Sequence, residues 1–294
     1  MPQGKITVLG AGIVGICCAL ELQQKGYQVT LVDRRGFGQE TSYGNAGILS
    51  LSSVVPLASP ELLGRLFRLA TNQESDFLMH YSHLPWLLPW LVKFLLRCNR
   101  NTYVNDGLAM SRLTFPSVEK HLAWIKQSNA GHLLNPIGAL KLYRNQHTFD
   151  RNPLERELFD QCGVKYSVIN KAECNDLEPD LHDVYEKRLL IEGSQSLRDP
   201  QALSQCYATL FLSLGGQFKQ ADVKQIVSRS NQWDMITDQG KDIVEKLVVC
   251  LGSWTPTLLK PLGYCNPIVI ERGYHTVFKV QPGKRLNRPV FDVD

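Results

Sequence analysis

The stretch Lys5-Ile-Thr-Val-Leu-Gly-Ala-Gly-Ile-Val-Gly15 decides the fold. Lys5 to Leu9 is a short apolar run of mostly β-favouring residues and reads as a strand. It passes directly into the glycine turn and then into a helical pattern that lasts to about Lys25. A second strand over Tyr27 to Val32 ends on Asp33, eighteen residues after Gly15. A glycine turn on its own is common and marks nothing more than a tight bend. With a strand before it, a helix after it and an acid at this distance, it is the arrangement that binds the ADP half of a dinucleotide. Gly10 permits the tight turn, Gly12 lets the backbone approach a pyrophosphate, and Gly15 lets the helix pack close on the strand. Along Gly10-Ala11-Gly12-Ile13-Val14-Gly15 the helix start offers free N–H groups and a partial positive charge to phosphates. Asp33 can accept hydrogen bonds from a ribose diol, which disfavours a 2′-phosphate there.

The chain has 294 residues, 44% of them hydrophobic, enough to bury one large core or two intermediate ones. A net charge of +4 without any Lys/Arg block gives no electrostatic footprint for nucleic acid. Eight cysteines occur without a C-x-x-C pair and read as buried free thiols in a reducing compartment rather than as a disulfide framework or a zinc site. His80 and His83 are three apart but have no third ligand nearby, so no metal site is expected. The N-terminus enters the first strand without a signal peptide. The longest apolar run, Leu84 to Leu96, is too short to span a bilayer. A cytoplasmic location is the expectation.

After Asp33 and Arg34 comes Gly36-Phe-Gly-Gln-Glu-Thr-Ser-Tyr-Gly-Asn-Ala-Gly47, a loop of small and hydrogen-bonding residues. Thr41, Ser42 and Asn45 stand beside glycines that permit close backbone approach, which suits a loop running along the rest of a cofactor. Taken together, GAGIVGICCALELQQKGYQVTLVDR and ETSYGNAGILS resemble the FAD-dependent D-amino acid dehydrogenases of the D-amino acid oxidase/glycine oxidase superfamily. The resemblance implies FAD as cofactor, with Ser42, Asn45, Ala46 and Gly47 beside the flavin. It implies an α/β fold: a Rossmann-type FAD-binding domain of a two-dinucleotide-binding-domain flavoprotein, with an inserted α+β substrate domain. The FAD-binding domain is expected over residues 1–55 and 199–266, and the helical region and substrate domain over 56–198 and 267–294.

Residues 56 to 130 have a helical pattern. Within it, Leu84-Pro-Trp-Leu-Leu-Pro-Trp-Leu-Val-Lys-Phe-Leu-Leu-Arg97 reads as a core or lid helix. Its tryptophans, leucines and flanking cations also suit a membrane surface. From Gly138 strands and helices mix, as in an α+β domain. Asp199-Pro200 opens a helix as N-cap and first residue. A strand over Val223 to Val227 follows, and the resemblance gives Val223 a backbone contact to adenine. Trp233 to Thr237 and Lys246 to Val249 read as a hairpin-like pair, and the second leads into a strand–glycine–helix junction at Gly252. That junction is either an ordinary turn or, as the resemblance implies, a segment beside the cofactor. The segment Pro267 to Phe278 carries Arg272-Gly273-Tyr274-His275, and the resemblance makes it a strand along the active site. Tyr274 and His275 are the catalytic candidates, although a histidine satisfied by backbone explains His275 equally well.

The resemblance implies oxidation of the CH–NH2 group of D-amino acids to 2-oxo acids and ammonia, by hydride transfer to FAD. The electrons would leave to a quinone or another acceptor, with peripheral contact at the inner face of the cell membrane. Glycine, sarcosine or a 2-hydroxy acid is the alternative substrate class on the same fold. Family members continue beyond the equivalent of Asp294, so the resemblance also implies a chain short of the family's C-terminal part. An inactive remnant is the corresponding alternative.

Overall fold

The computed structural model describes residues 3–73, 80–265, 268, 270 and 273–293. In chain order the elements are β1 (Lys5–Leu9), α1 (Ile13–Gln24), β2 (Gln28–Asp33), β3 (Ile48–Leu49), α2 (Leu62–Ala70), α3 (Leu84–Leu96) and α4 (Arg100–Gln127). Next come β4 (Ala139–Tyr143), α5 (Gln146–Asp150), α6 (Pro153–Cys162), β5 (Tyr166–Val168), α7 (Lys171–Leu177), β6 (Lys187–Ile191) and β7 (Gln195–Ser196). The rest are α8 (Pro200–Ser213), β8 (Gln217–Gln220), β9 (Val223–Ser228), β10 (Trp233–Thr237), β11 (Gly240–Val244), β12 (Leu247–Val249), α9 (Thr255–Leu259) and β13 (Val290–Asp292). Two compact units result. One comprises Met1–Gly47, His121–Asn135 and Leu197–Pro282, the other Ile48–Lys120, Pro136–Ser196 and Gly283–Asp294.

The first unit is built on a parallel sheet in the order β12-β1-β2-β8. Ile6, Val8, Leu9, Val29, Leu31 and Val32 are all buried, as expected of parallel strands covered on both faces. The helix α1 makes the crossover from β1 to β2, burying Ile16, Ala19 and Leu20. At the start of α8 the Asp199 carboxylate accepts a hydrogen bond from the Ala202 N–H at 2.9 Å, so the capping read from the sequence forms. A second sheet, β11-β10-β9, is an antiparallel meander. Here the hairpin differs from the expected one. Trp233–Thr237 pairs with Gly240–Val244 through a two-residue turn into Gly240, whose φ of +124° suits glycine. Leu247–Val249 instead joins β1 in parallel, where its apolar run continues the buried sheet.

His121–Asn135 belongs to the first unit, not to the second as the sequence division has it. The reason lies in its packing. Trp124 meets the fully buried Tyr207 edge-on at 5.9 Å, the Tyr207 hydroxyl donates to the His121 carbonyl at 3.0 Å, and the Arg198 N–H donates to the Leu133 carbonyl at 2.9 Å. Burial of the imidazole pushes the His121 pKa down. The segment expected as a strand over 267–278 also groups with this unit up to Pro282. Among its described residues none is in a strand. Pro267 and Arg272 lie outside the described residues.

The second unit holds the mixed sheet β13-β4-β6-β5, with β13 parallel to β4 and the other pairs antiparallel. Its core collects Tyr103, Ala139, Tyr143, Leu154, Leu158, Phe159, Leu189 and Ile191. Fully buried Glu178 accepts the Asn287 N–H at 2.7 Å and pairs with Arg288 at 3.4 Å, tying the approach to β13 to the end of α7. The helix read from the sequence as a core or lid helix, α3, has no fully buried residue, and neither has α2. Leu84, Leu87, Trp90, Leu91, Phe94 and Leu95 are half-buried along one stripe at helical spacing, while the other apolar side chains face outward. Trp86 is 87% exposed and Leu96 73%. Among the described residues no helix is long and apolar enough to cross a membrane.

Candidate functional site

At the carboxyl ends of β1, β2 and β12 the first unit opens into a cleft of about 860 Å³, within the usual size of small-molecule sites. Parallel α/β sheets bind ligands at this edge because helix N-termini and strand-to-helix loops converge there. The glycine turn forms one wall, and its dimensions depend on missing Cβ atoms. A Cβ on Gly15 would lie 1.7 Å from the Gly10 carbonyl oxygen, and one on Gly10, at φ +103°, would lie 2.3 Å from the Cys250 carbonyl oxygen. The helix start therefore presses directly on the ends of β1 and β12.

Around this turn the polar groups are ordered. Asp33 at the end of β2 accepts the Ala11 N–H on Oδ2 at 2.6 Å and the Arg35 N–H on Oδ1 at 2.8 Å. An ionised carboxylate has about four lone-pair sites, so acceptor capacity remains on the cleft side. Ser42, 6% exposed, accepts the Ile13 N–H at 2.8 Å through Oγ and so anchors the loop to the first residue of α1. The N–H groups of Val14 and Gly15, in the first turn of that helix, have no intrahelical acceptors. Asn45 shapes the loop, accepting the Gly47 N–H at 2.8 Å, and Gly47 itself turns at φ +62°.

Most of the expected cofactor residues meet in this cleft. Gly10, Gly12, Ile13, Val14, Asp33, Arg34, Thr41, Ser42, Asn45, Val223 and Gly252 line it. Ala11, Gly15, Ala46 and Gly47 do not. Ala11 is buried against Asp33, Gly15 is packed beneath the helix, Gly47 is turned toward Leu197 and Pro200, and Ala46 is exposed away from the wall. Gly252 begins the turn before α9 at φ +54°. Of the catalytic candidates, Tyr274 is 88% exposed and is not on the wall of this cleft, whereas the His275 ring lies beside the loop. A Cβ on Gly44 would fall 2.7 Å from its Cε1.

Several contacts in the wall carried no sequence signal. Glu40 accepts from Arg34 at 2.7 Å and pairs with Arg35 at 3.2 Å, while the Arg34 guanidinium stands 4.5 Å over the Trp254 ring. This Trp254–Arg34–Glu40 wall joins residues more than two hundred positions apart, so only the fold brings it together. Asp222, Lys224 and Leu251 also line the cleft. The donor set fits a dinucleotide: a glycine cradle at a helix start for the pyrophosphate, an acid for a ribose, and exposed Thr41 and Asn45 beyond. Among the described residues no group of three or more His, Cys, Asp or Glu could hold a metal. His80 and His83 are exposed, with ring centroids 6.4 Å apart.

The family described as FAD dependent oxidoreductase (DAO) matches residues 5–294. A D-amino-acid oxidase of Bradyrhizobium diazoefficiens is 30% identical over 95% of this chain and 67% of its own length. A D-amino acid dehydrogenase of Allorhizobium ampelinum is 28% identical over 98% of the chain and 70% of its own. Among solved structures, glycine oxidase from Geobacillus kaustophilus aligns with a TM-score of 0.58 at 18% identity, covering 88% of this chain and 58% of that one. An FAD-bound glycerophosphate oxidase from Mycoplasma pneumoniae aligns with the same score at 17% identity, over 99% and 65%. At these identities the solved structures speak for the fold alone. The chain thus spans about two thirds of the length of the curated relatives it matches, and less of the solved structures.

Proposed function

The chain belongs to the DAO family of FAD dependent oxidoreductases, and from that premise we propose that it serves oxidation of the CH–NH2 group of D-amino acids to 2-oxo acids and ammonia. The observation that carries the reading is the cleft itself, in which the glycine turn, Asp33 and the Thr41–Asn45 loop share one wall. The N–H groups at the start of α1 would hold the FAD pyrophosphate, Asp33 an adenosine ribose, and Val223 the adenine edge. Thr41, Ser42 and Asn45 would run beside the rest of the cofactor. When bound, the flavin supplies a two-electron acceptor for the substrate α-C–H. The chain's own part is to position the cofactor and the substrate and to keep the surroundings polar where the phosphates lie. His275, beside Gly44, is the described side chain proposed to approach the reacting end, and Tyr274 is retained as its neighbour on the same segment. The test is a visible spectrum of the purified chain. Flavin bands should appear and should bleach anaerobically with D-alanine but not L-alanine. Bleaching by glycine or L-alanine alone, or none with any amino acid, would sink the D-amino acid assignment.

We further propose that the second unit contacts an anionic bilayer peripherally and that a membrane quinone accepts the electrons. The support is α2 and α3, which have no fully buried residue, expose Phe67, Trp86 and Leu96, and carry Arg65, Arg68 and Lys93 among them. Amphipathic apolar surface flanked by cations is the pattern of an interfacial helix. The chain should co-sediment with vesicles containing phosphatidylglycerol, and Trp86→Ser should weaken that binding several-fold. Equal recovery in the supernatant with and without vesicles would refute the contact.

A further inference from the structure

Three half-buried cysteines lie on α1 and just after β12, one of them on the wall of the cofactor cleft. They are Cys17 and Cys18 in α1, and Cys250 on the wall. A Cβ on Gly15 would touch the Cys250 Cβ at 3.4 Å. Cys18 is three residues further along the same helix, on the face that Gly15 turns to the strand. The Cys250 and Cys18 thiols stand near enough for each to shift the other's ionisation. From this juxtaposition we propose that Cys18 and Cys250 are a peroxide-responsive dithiol that closes to a disulfide between α1 and the cleft wall.

The chemistry assigns the two thiols different parts. The neighbouring Cys250 thiol holds the Cys18 thiol down at about 7, against burial, which works the other way. Cys250 is pushed up by Cys18 in turn and by burial, and so keeps its proton. Cys17, the other ionisable group at this spot, is pushed up to about 12 by burial and by Cys18. Cys18 is therefore the one of the three that ionises most readily near neutral pH, and thiolates are the form that hydroperoxides oxidise. Attack of the Cys18 sulfur on hydrogen peroxide breaks the O–O bond, giving Cys18 sulfenic acid and one water once the hydroxide is protonated. The Cys250 sulfur then attacks the sulfenic sulfur, forming the S–S bond and releasing the oxygen as a second water. Two thiols and one peroxide give one disulfide and two waters. Because Cys250 lines the cleft, a small peroxide reaches the pair through the opening that a ligand would use.

The test uses the whole chain with hydrogen peroxide at a few equivalents, followed by alkylation and a non-reducing digest read by mass spectrometry. Two of the eight thiols should be lost, with one cross-linked peptide pair joining Cys18 to Cys250, restored by dithiothreitol. Cys250→Ser should instead accumulate Cys18 sulfenic acid that dimedone traps, and Cys18→Ser should leave Cys250 unmodified. All eight thiols persisting in the wild-type chain would overturn the proposal without need of any variant. So would a link through Cys17, or oxidation confined to the exposed Cys265.

Discussion

Replacing Gly15 by valine is expected to leave the chain about 3 kcal/mol less stable, with flavin occupancy roughly tenfold lower. The first added atom alone would stand 1.7 Å from the Gly10 carbonyl oxygen. That oxygen belongs to a backbone pinned on both sides: the Gly10 N–H donates to the Val32 carbonyl at 2.8 Å, and the Cys250 N–H to the Leu9 carbonyl at 2.7 Å. Relief must come from lifting α1 off the sheet. That unpacks Ile16, Ala19 and Leu20, all fully buried, and carries the phosphate-side N–H groups away from the cleft. Overpacking ordinarily costs about 1–3 kcal/mol, and a clash with immobile backbone belongs at the upper end. Gly64→Ala is the control. Gly64 lies inside α2 with nothing within 4 Å of an added Cβ, so alanine there should be neutral or stabilising by up to about 1 kcal/mol. The comparison is read from urea midpoints and the ratio of flavin to protein absorbance. Gly15→Val with normal stability and full flavin would show that the helix does not depend on this approach.

How far the sequence carries follows from the range of each signal. The unit β1–α1–β2 with Asp33 is legible because every determinant lies within about thirty residues: apolar strands, glycines at a turn, an acid at the next strand end. Asp199-Pro200 is legible for the same reason, since a cap is a local hydrogen bond. The pairing of Leu247–Val249 is not, because a three-residue apolar strand fits a hairpin partner and a parallel one equally well until β1 is in place. For α3 the sequence leaves a core, a lid and a membrane-surface helix open, for a different reason. Apolar content marks burial only if some core receives the helix, and composition does not say whether one does. The cleft divides along the same line. Its glycine wall and loop stand out in the chain, whereas Trp254, Lys224 and Cys250 reach it only through the sheet order β12-β1-β2-β8. Cysteine spacing likewise suggests inert buried thiols, yet only Cys98 and Cys174 are buried, and the pair with distinct chemistry is more than two hundred residues apart.

Asp33→Ala is expected to raise the dissociation constant for FAD by about a hundredfold while costing the apoprotein about 2 kcal/mol. Two effects are separable here. Within the protein, the carboxylate holds the Ala11 N–H at 2.6 Å and the Arg35 N–H at 2.8 Å. Ala11 is 1% exposed, so its N–H would be left buried and unpaired, at a cost of about 1–3 kcal/mol. Toward the ligand, the carboxylate's remaining lone pairs are the proposed acceptors for a ribose diol. Hydrogen bonds to a charged group contribute about 1.5–3 kcal/mol, which corresponds to roughly 10- to 150-fold in affinity. Asp33→Asn divides the two. One amide oxygen can still accept the Ala11 N–H, but the amide nitrogen is a donor and opposes the Arg35 N–H. Stability should therefore recover in part and flavin affinity less. Titration of apoprotein with FAD, followed by flavin fluorescence, measures the binding, and urea unfolding of the same samples measures the fold. If both variants lose stability but bind FAD as the parent does, the carboxylate only braces the turn, and the ribose must be held by another group on the cleft wall.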